Sequence, residues 1–376
     1  MPKLKRTPLF PLHEALNARC VDFGGWEMPI QYDGVIAEHQ AVRNAAGVFD
    51  ISHMGEIMVG GAHAEDFLEL TLTNRASDLA VGDAQYSLLC NSQGGVVDDL
   101  YVYRIAQEVF LLIVNASRVD DDFSLLQKLV VDLKKDRTVN VVNESDDLAA
   151  IAVQGPNVSL FIDDVFTLKG LITVDKPTDL TKNQIDVFIY EDANVYVANT
   201  GYTGEAGFEL VAPNEVITQL WNRIFDLGKN HGVKPAGLGA RDTLRLEMGY
   251  PLYGNELNEK VTPLEAGLGY FIDLEKPFQG RQKLVSQKNN GFKRKNLGFV
   301  MTSKSPPPRK GYLVYIDGDQ VGAVSSGTQS PSLGKGMGMA FIDMPHALVG
   351  KEVEIQIRDR YYPAVLSKKP MYKKDD

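Results

Sequence analysis

The feature that most constrains this chain is a change of pattern near residue 275. Before it, strand-like runs alternate with segments whose apolar residues recur at helical spacing. After it, from about Asn296 to Met371, only strand-like runs remain. Such a switch calls for a mixed α+β body followed by an all-β one. The stretch Lys276–Asn296 is polar and rich in Lys, Gln and Asn, and reads as a linker between them. In the last segment, Asp317-Gly318 is a two-residue hairpin signal between Tyr312–Ile316 and Gln320–Ser325. Further strands fit Gly338–Ile342, Lys351–Arg358 and Tyr361–Ser367, so a barrel or a sandwich is expected. Gly334–Gly338 is glycine-rich but follows no strand–helix pattern, and reads as a turn.

In the first part, Asp33 is placed to cap a helix over Val35–Ala46, with Gly47 as its stop. A strand over Phe49–Val59 is expected to break around Ser52–Gly55. Tyr86–Cys90, a five-residue turn with two glycines, Val96–Ile105 and Val109–Asn115 form the clearest β unit. Ser117 is expected to cap a helix with Val119, Phe123, Leu126 and Leu133 on one face. Asn214 is expected to cap another, with Ile217, Leu220, Trp221 and Ile224 at i, i+3, i+4 spacing. A last helix fits Leu238–Met248.

Composition narrows the function. The formal charge is −10, from 39 basic and 49 acidic residues. A chain that binds phosphates needs a broad basic footprint, so nucleic acid is not expected as a main partner, nor is anionic lipid. The basic residues Lys3, Lys5 and Arg6, and Lys368, Lys369, Lys373 and Lys374, read as solvated tails. No apolar run is long enough to cross a membrane as a helix, and the first residues lack the apolar core of a secretory signal. Two cysteines, Cys20 and Cys90, with no C-x-x-C spacing, suit a reducing compartment. The six histidines show no metal-ligand spacing. The motifs of nucleotide-triphosphate binding, dinucleotide binding, zinc hydrolysis and serine hydrolysis are all missing.

Three segments remain where chemistry can sit. In Gly94–Tyr103, strand alternation puts Asp98 on one face with Leu100 and Val102. It puts Asp99 on the other with Tyr101 and Tyr103. A carboxylate beside aromatic rings can bind a cation or an amine and act as a base; the plainer reading is a pair that polarises the hairpin turn. In Thr200–Glu209, glycines at a spacing of three allow close backbone approach to a ligand; the plainer reading is a connection with surface glutamates. In Ala236–Gly249, Arg241 and Arg245 lie four apart on one helix face. The helix dipole disfavours Arg241 near the helix start, which suggests a carboxylate partner.

Together these segments resemble the glycine cleavage T-protein family of aminomethyltransferases. The resemblance extends to Arg6–Phe10, Phe23–Tyr32, Phe49–Met54, Ala152–Pro156, Ser325–Leu333 and Ser367–Met371, in the same order. It implies an α+β, three-lobed cloverleaf with two mixed α/β lobes around a folate site and a C-terminal all-β barrel-like domain. The lobes would be residues 1–54 with 142–275, the inserted 55–141, and 290–371. It implies that tetrahydrofolate accepts a methylene from the aminomethyl-lipoyl arm of the H protein, giving 5,10-methylenetetrahydrofolate and ammonia. Carried over residue by residue, Asp99 is the catalytic carboxylate. Met54, Asn115, Tyr202, Glu209, Arg241 and Tyr270 would bind the folate, Tyr270 standing where relatives often have Trp. Neither metal nor nucleotide is implied, and the protein would be a cytoplasmic monomer or weak oligomer, or a matrix protein if processed in a eukaryote. The H protein is expected to be acidic, which casts the C-terminal lysines as its steering patch. Two other readings are a folate-dependent demethylase of a small methylated substrate and a non-catalytic folate-binding iron–sulfur assembly factor. Keeping both Asp98 and Asp99 favours aminomethyl transfer over the first. The cysteine-free Phe278–Lys283 disfavours the second.

Overall fold

A computed structural model describes residues 3–132 and 137–374. Its internal contacts divide it into two units, residues 1–87 with 99–241 and residues 88–98 with 242–376.

The first unit holds one sheet whole and most of a second, whose residues 88–90 and 96–98 count with the second unit. One has six strands in the order Ile185–Tyr190, Ala193–Ala198, Gly207–Pro213, Leu148–Gln154, Ala46–Asp50 and Val233–Pro235. Alternation sets its two faces. Phe208, Leu210 and Ala212, with Ala149, Ile151 and Val153, pack under the helix Asn214–Gly228 against Ile217, Leu220, Trp221 and Ile224. Burial of each large apolar side chain contributes about 1.5–3 kcal/mol relative to exposure. The opposite face, with Ala198, Glu209 and Val211, is turned to the second sheet. That sheet runs in the order Ala84–Cys90, Val96–Ala106, Val109–Val114, Gly55–Gly60 and Asn140–Asn143. Its Tyr101, Tyr103, Leu111 and Ile113 pack with Ile185, Tyr196 and Ala198 of the first.

In the second unit, the strands Arg294–Met301, Lys335–Asp343, Asp319–Ser330, Leu313–Ile316, Glu352–Ile357 and Arg360–Ser367 close into a barrel. Of the two forms expected, barrel closure is the one found. Asp317 and Gly318 both take positive φ, 53° and 89°, as a tight hairpin turn requires.

Several expectations are corrected. The segment 276–296 is not a linker: Arg281–Asn290 is a helix. It lacks an apolar stripe, but Leu284 is buried and Thr262 Oγ1 donates to Gln287 Oε1 at 2.7 Å. Asp33 does not cap its helix. Gly34 holds the cap position, and Glu38 reaches back to accept the Gly34 N–H at 3.0 Å. Asp33 pairs instead with Lys234 at 3.1 Å. Gly47 lies inside the strand Ala46–Asp50, where a side chain would collide with Val42; the helix ends at Asn44. Asn214 is the first residue of its helix, and its amide donates to the Asp146 carbonyl at 2.8 Å. Arg118, not Ser117, precedes the helix Val119–Val131; Leu133 lies outside the described residues.

The charged ends are not simple tails either. Arg6 pairs with Glu27 at 2.9 Å and lies 3.8 Å over the Phe10 ring. Lys369 is half-buried, and its Nζ donates to Asn296 Oδ1 at 2.6 Å. Burial pushes its pKa down to about 8.

Candidate active site

The site is best followed from Asp99. This half-buried carboxylate accepts the Tyr86 hydroxyl on Oδ2 at 2.8 Å and the Asn115 amide on Oδ1 at 2.9 Å. The same amide also binds the Asp99 carbonyl at 3.0 Å, so Asn115 fixes backbone and side chain together. Tyr86 meets Tyr101 edge-on at 5.9 Å, and Tyr101 stacks on Tyr103 at 5.7 Å. This is the aromatic face that alternation placed with Asp99. Asp98, on the other face, is fully buried.

Tyr103 carries the line to the facing sheet. Its hydroxyl lies 3.2 Å from Thr200 Oγ1, and Thr200 donates its own proton to Glu209 Oε2 at 2.6 Å. The single Thr200 proton is thus committed to Glu209, so Tyr103 is the donor to Thr200. Burial, reinforced by the Glu209 charge, pushes the Tyr103 pKa well above its ordinary value. Tyr103 therefore keeps its proton at neutral pH. Sequence reasoning missed Thr200 and Tyr103 as functional residues, although both sat inside the segments it singled out. Their signal was a hydroxyl at each end of those segments.

Glu209 is not a surface carboxylate. It lines a narrow cleft between the sheets together with Ile51, Met54, Tyr103, Ile113 and Tyr196. Arg241 and Glu209 attract each other, while burial lowers the Arg241 pKa. The guanidinium lies 4.8 Å over the Tyr202 ring, and its buried Nη1 has no hydrogen-bond partner among the described residues. Met54, Asn115, Asp99, Tyr202, Glu209 and Arg241 thus all belong to the first unit. Tyr270 belongs to the second, is 92% exposed, and stands edge-on to Phe271 at 5.4 Å.

The glycine-rich segment is shaped by Gln154. Its Oε1 accepts Thr203 Oγ1 at 2.8 Å and its Nε2 donates to the Thr200 carbonyl at 3.1 Å. A side chain at Gly201 would strike this amide, and one at Gly207 would strike the Val153 carbonyl. Glu205 is tied to Arg43 at 2.9 Å. The loop therefore holds Tyr202 and Thr200 by buried bonds, and the plainer reading of surface glutamates fails.

Two further networks set the neighbours. Buried Asp50 accepts Thr7 Oγ1 at 2.7 Å and the Ser52 N–H at 2.9 Å, and lies 2.8 Å from His13 Nε2. This fixes the path into Ile51–Met54. Glu38 accepts the Gly237 N–H at 2.8 Å, just ahead of the helix that carries Arg241. His53 is buried, and burial lowers its pKa to about 4; Asp50 opposes the shift and Arg241 adds to it. Arg245 serves the second unit, with Asp242 at 2.8 Å, Glu256 at 3.1 Å and Ser326 at 2.9 Å. Among the described residues, no three His, Cys, Asp or Glu are grouped to hold a metal ion. No helix among them is long and apolar enough to cross a membrane.

The candidate site thus holds one carboxylate beside aromatic rings and, on the other sheet, a second carboxylate near a guanidinium whose Nη1 has no hydrogen-bond partner among the described residues. The model of the GCVT N-terminal domain matches residues 9–276, and that of the glycine cleavage T-protein C-terminal barrel domain matches residues 294–373. Curated relatives named aminomethyltransferase are 44% identical, from Caldanaerobacter subterraneus subsp. tengcongensis over 100% of this chain and 98% of that protein. Another, from Thermoanaerobacter pseudethanolicus, covers 100% and 99% at the same identity. The crystal structure of glycine cleavage system aminomethyltransferase T from Bartonella henselae superposes with a TM-score of 0.89 at 30% identity, over 98% of each chain. The chain belongs to the glycine cleavage T-protein family, and it is a transferase of the aminomethyltransferase type.

Proposed function

We propose that this chain transfers the methylene of an aminomethyl-lipoyl H protein to tetrahydrofolate, giving 5,10-methylenetetrahydrofolate, ammonia and the dihydrolipoyl arm. The observation that carries the reading is the line of contacts from Asp99 through Tyr86, Tyr101, Tyr103 and Thr200 to Glu209, with the unpaired Arg241 Nη1 beyond it. A pterin edge offers a ring N–H and an exocyclic amine as parallel donors. Glu209, oriented by Thr200, accepts both. Arg241 keeps a buried donor for an acceptor atom of the ligand, and Met54 supplies apolar contact. Asp99, fixed by Tyr86 and Asn115, sits where positive charge grows on the carbon as the amine leaves. It stabilises that charge and takes up a proton. Tyr270 is assigned a folate contact on the resemblance alone.

The division into residues 1–54 with 142–275, 55–141 and 290–371 belongs to the same proposal. So does a cytoplasmic setting, which suits the two free cysteines. The test mixes purified protein, tetrahydrofolate and aminomethylated H protein, and follows ammonia and methylenetetrahydrofolate. Both products should appear together and only with all three components. No turnover there, with demethylation of a small methylated amine or ether instead, overturns the reading.

A further inference from the structure

Glu56 lies on the strand Gly55–Gly60 and is 0% exposed. Its backbone is satisfied: the N–H donates to Ser145 Oγ at 2.9 Å, and the carbonyl accepts the Glu144 N–H at 2.9 Å. Its carboxyl is not. Neither Oε1 nor Oε2 has a hydrogen-bond partner among the described residues. The sheet register shows which way it faces. Glu56 pairs with Ile113, and Ile113 pairs with Tyr101. Ile113 lines the cleft that holds Glu209 and Met54. Two residues along from Glu56, Met58 packs with Tyr103 and Leu111. Glu56 therefore shares the face of the sheet that carries Ile113 and Met58, behind the cleft lining and two residues along the chain from Met54.

A carboxyl buried without a partner destabilises the free protein and returns nothing to the fold. Buried polar groups are normally hydrogen-bonded, so an unsatisfied one calls for a partner from outside the fold. We propose that Glu56 is a further binding residue of this cleft, whose carboxyl hydrogen-bonds a polar atom of the bound tetrahydrofolate. This rests on the folate reading given above. Burial pushes the Glu56 pKa well above the usual carboxylate range and so favours the neutral acid, which has one donor and an accepting carbonyl.

The test compares Glu56→Gln, which keeps a donor and an acceptor, with Glu56→Met, which keeps the volume and removes both. Tetrahydrofolate affinity is measured by calorimetry, and ligand-free stability by melting. E56Q should bind within about threefold of wild type. E56M should bind about tenfold more weakly, yet melt at the same or a higher temperature, because an orphaned polar group is gone. Normal binding by E56M overturns the proposal, as does a matched fall in melting temperature and affinity. Equal losses in E56Q and E56M also overturn it. Infrared difference spectra of wild type against E56Q give a readout that needs no E56M. The Glu56 acid carbonyl band should move when tetrahydrofolate is added, and an unmoved band overturns the proposal. A wild-type protein that binds no tetrahydrofolate brings down the folate reading and this proposal together. Normal wild-type binding with an indifferent Glu56 brings down this proposal alone.

Discussion

Thr200 is the joint between the two sheets of the site, and Thr200→Val tests it almost isosterically. The change removes the 2.6 Å bond to Glu209 and the acceptor for Tyr103, whose hydroxyl is then stranded at a buried position. A lost bond to a charged group is worth about 1.5–3 kcal/mol, and an orphaned buried hydroxyl about 1–3 kcal/mol. Glu209 is half-buried and can recover water, so its share falls at the low end. The melting temperature should drop. Tetrahydrofolate affinity should fall about tenfold, about 1.4 kcal/mol, as Glu209 loses its fixed orientation. The double variant Thr200→Val with Tyr103→Phe separates the two effects. Phe strands no hydroxyl, so stability should largely return while affinity stays low. Thr200→Ser should resemble wild type in both. Calorimetric titration and thermal melts on all four proteins decide it. A double variant that binds tetrahydrofolate normally would show that Thr200 holds the sheets together and does not aim Glu209.

Asp99→Asn should cut turnover by roughly 10²-fold, because a stabilising charge is removed and an amide now faces the Tyr86 and Asn115 donors; Asp98→Asn should change melting more than turnover, and the reverse pattern would sink the face assignment. Glu209→Gln should raise the tetrahydrofolate dissociation constant roughly ten- to a hundredfold, since one acceptor becomes a donor opposed to the pterin amine; an unchanged titration removes Glu209 from the site. His53 has a folded pKa of about 4, below its unfolded value, so the unfolded chain binds the extra proton first as pH falls. Stability should therefore be full above about pH 6.5 and fall by up to about 3 kcal/mol towards pH 4, and His53→Gln should flatten that part of the curve in pH-dependent melting. Of the C-terminal lysines, Lys368 and Lys373 are exposed, whereas Lys369 is engaged with Asn296. Lys368→Glu with Lys373→Glu should slow association with an acidic H protein and spare turnover of a free aminomethyl-dihydrolipoyl compound; equal losses with both substrates would refute steering.

The parts of the fold legible in the sequence were those fixed by local pattern. The Asp317-Gly318 hairpin, the Asn91–Gly95 turn and the apolar stripe over Ile217–Ile224 each specify their own geometry through φ or period. The corrected parts depend on partners far along the chain. Gly34 takes the cap position from Asp33, and Glu38, which accepts its N–H, is held by the Gly237 N–H, 199 residues away. The helix Arg281–Asn290 has almost no stripe of its own and rests on Leu284 and a bond from Thr262. The site divides in the same way. Strand alternation was enough to set Asp99 with Tyr101 and Tyr103. No spacing could show that Tyr103 reaches Thr200, since that bond spans 97 residues and two sheets.

Placing the two carboxylates on opposite sheets has a physical consequence. Two ionised groups sharing one apolar cleft would raise each other's pKa, and one would take up a proton. Here Asp99 and Glu209 are separated by a wall of tyrosines, and each has its own donors: Tyr86 and Asn115 for one, Thr200 and the nearby Arg241 charge for the other. Each carboxylate is thus served by donors of its own. Binding and chemistry can then be served by separate carboxylates, because no hydrogen bond given to one is taken from the other. The tyrosines between them pack against one another, Tyr86 edge-on to Tyr101 and Tyr101 stacked on Tyr103. Tyr103 adds the one polar link, and its burial keeps it a proton donor to Thr200 and never a third negative charge in the cleft.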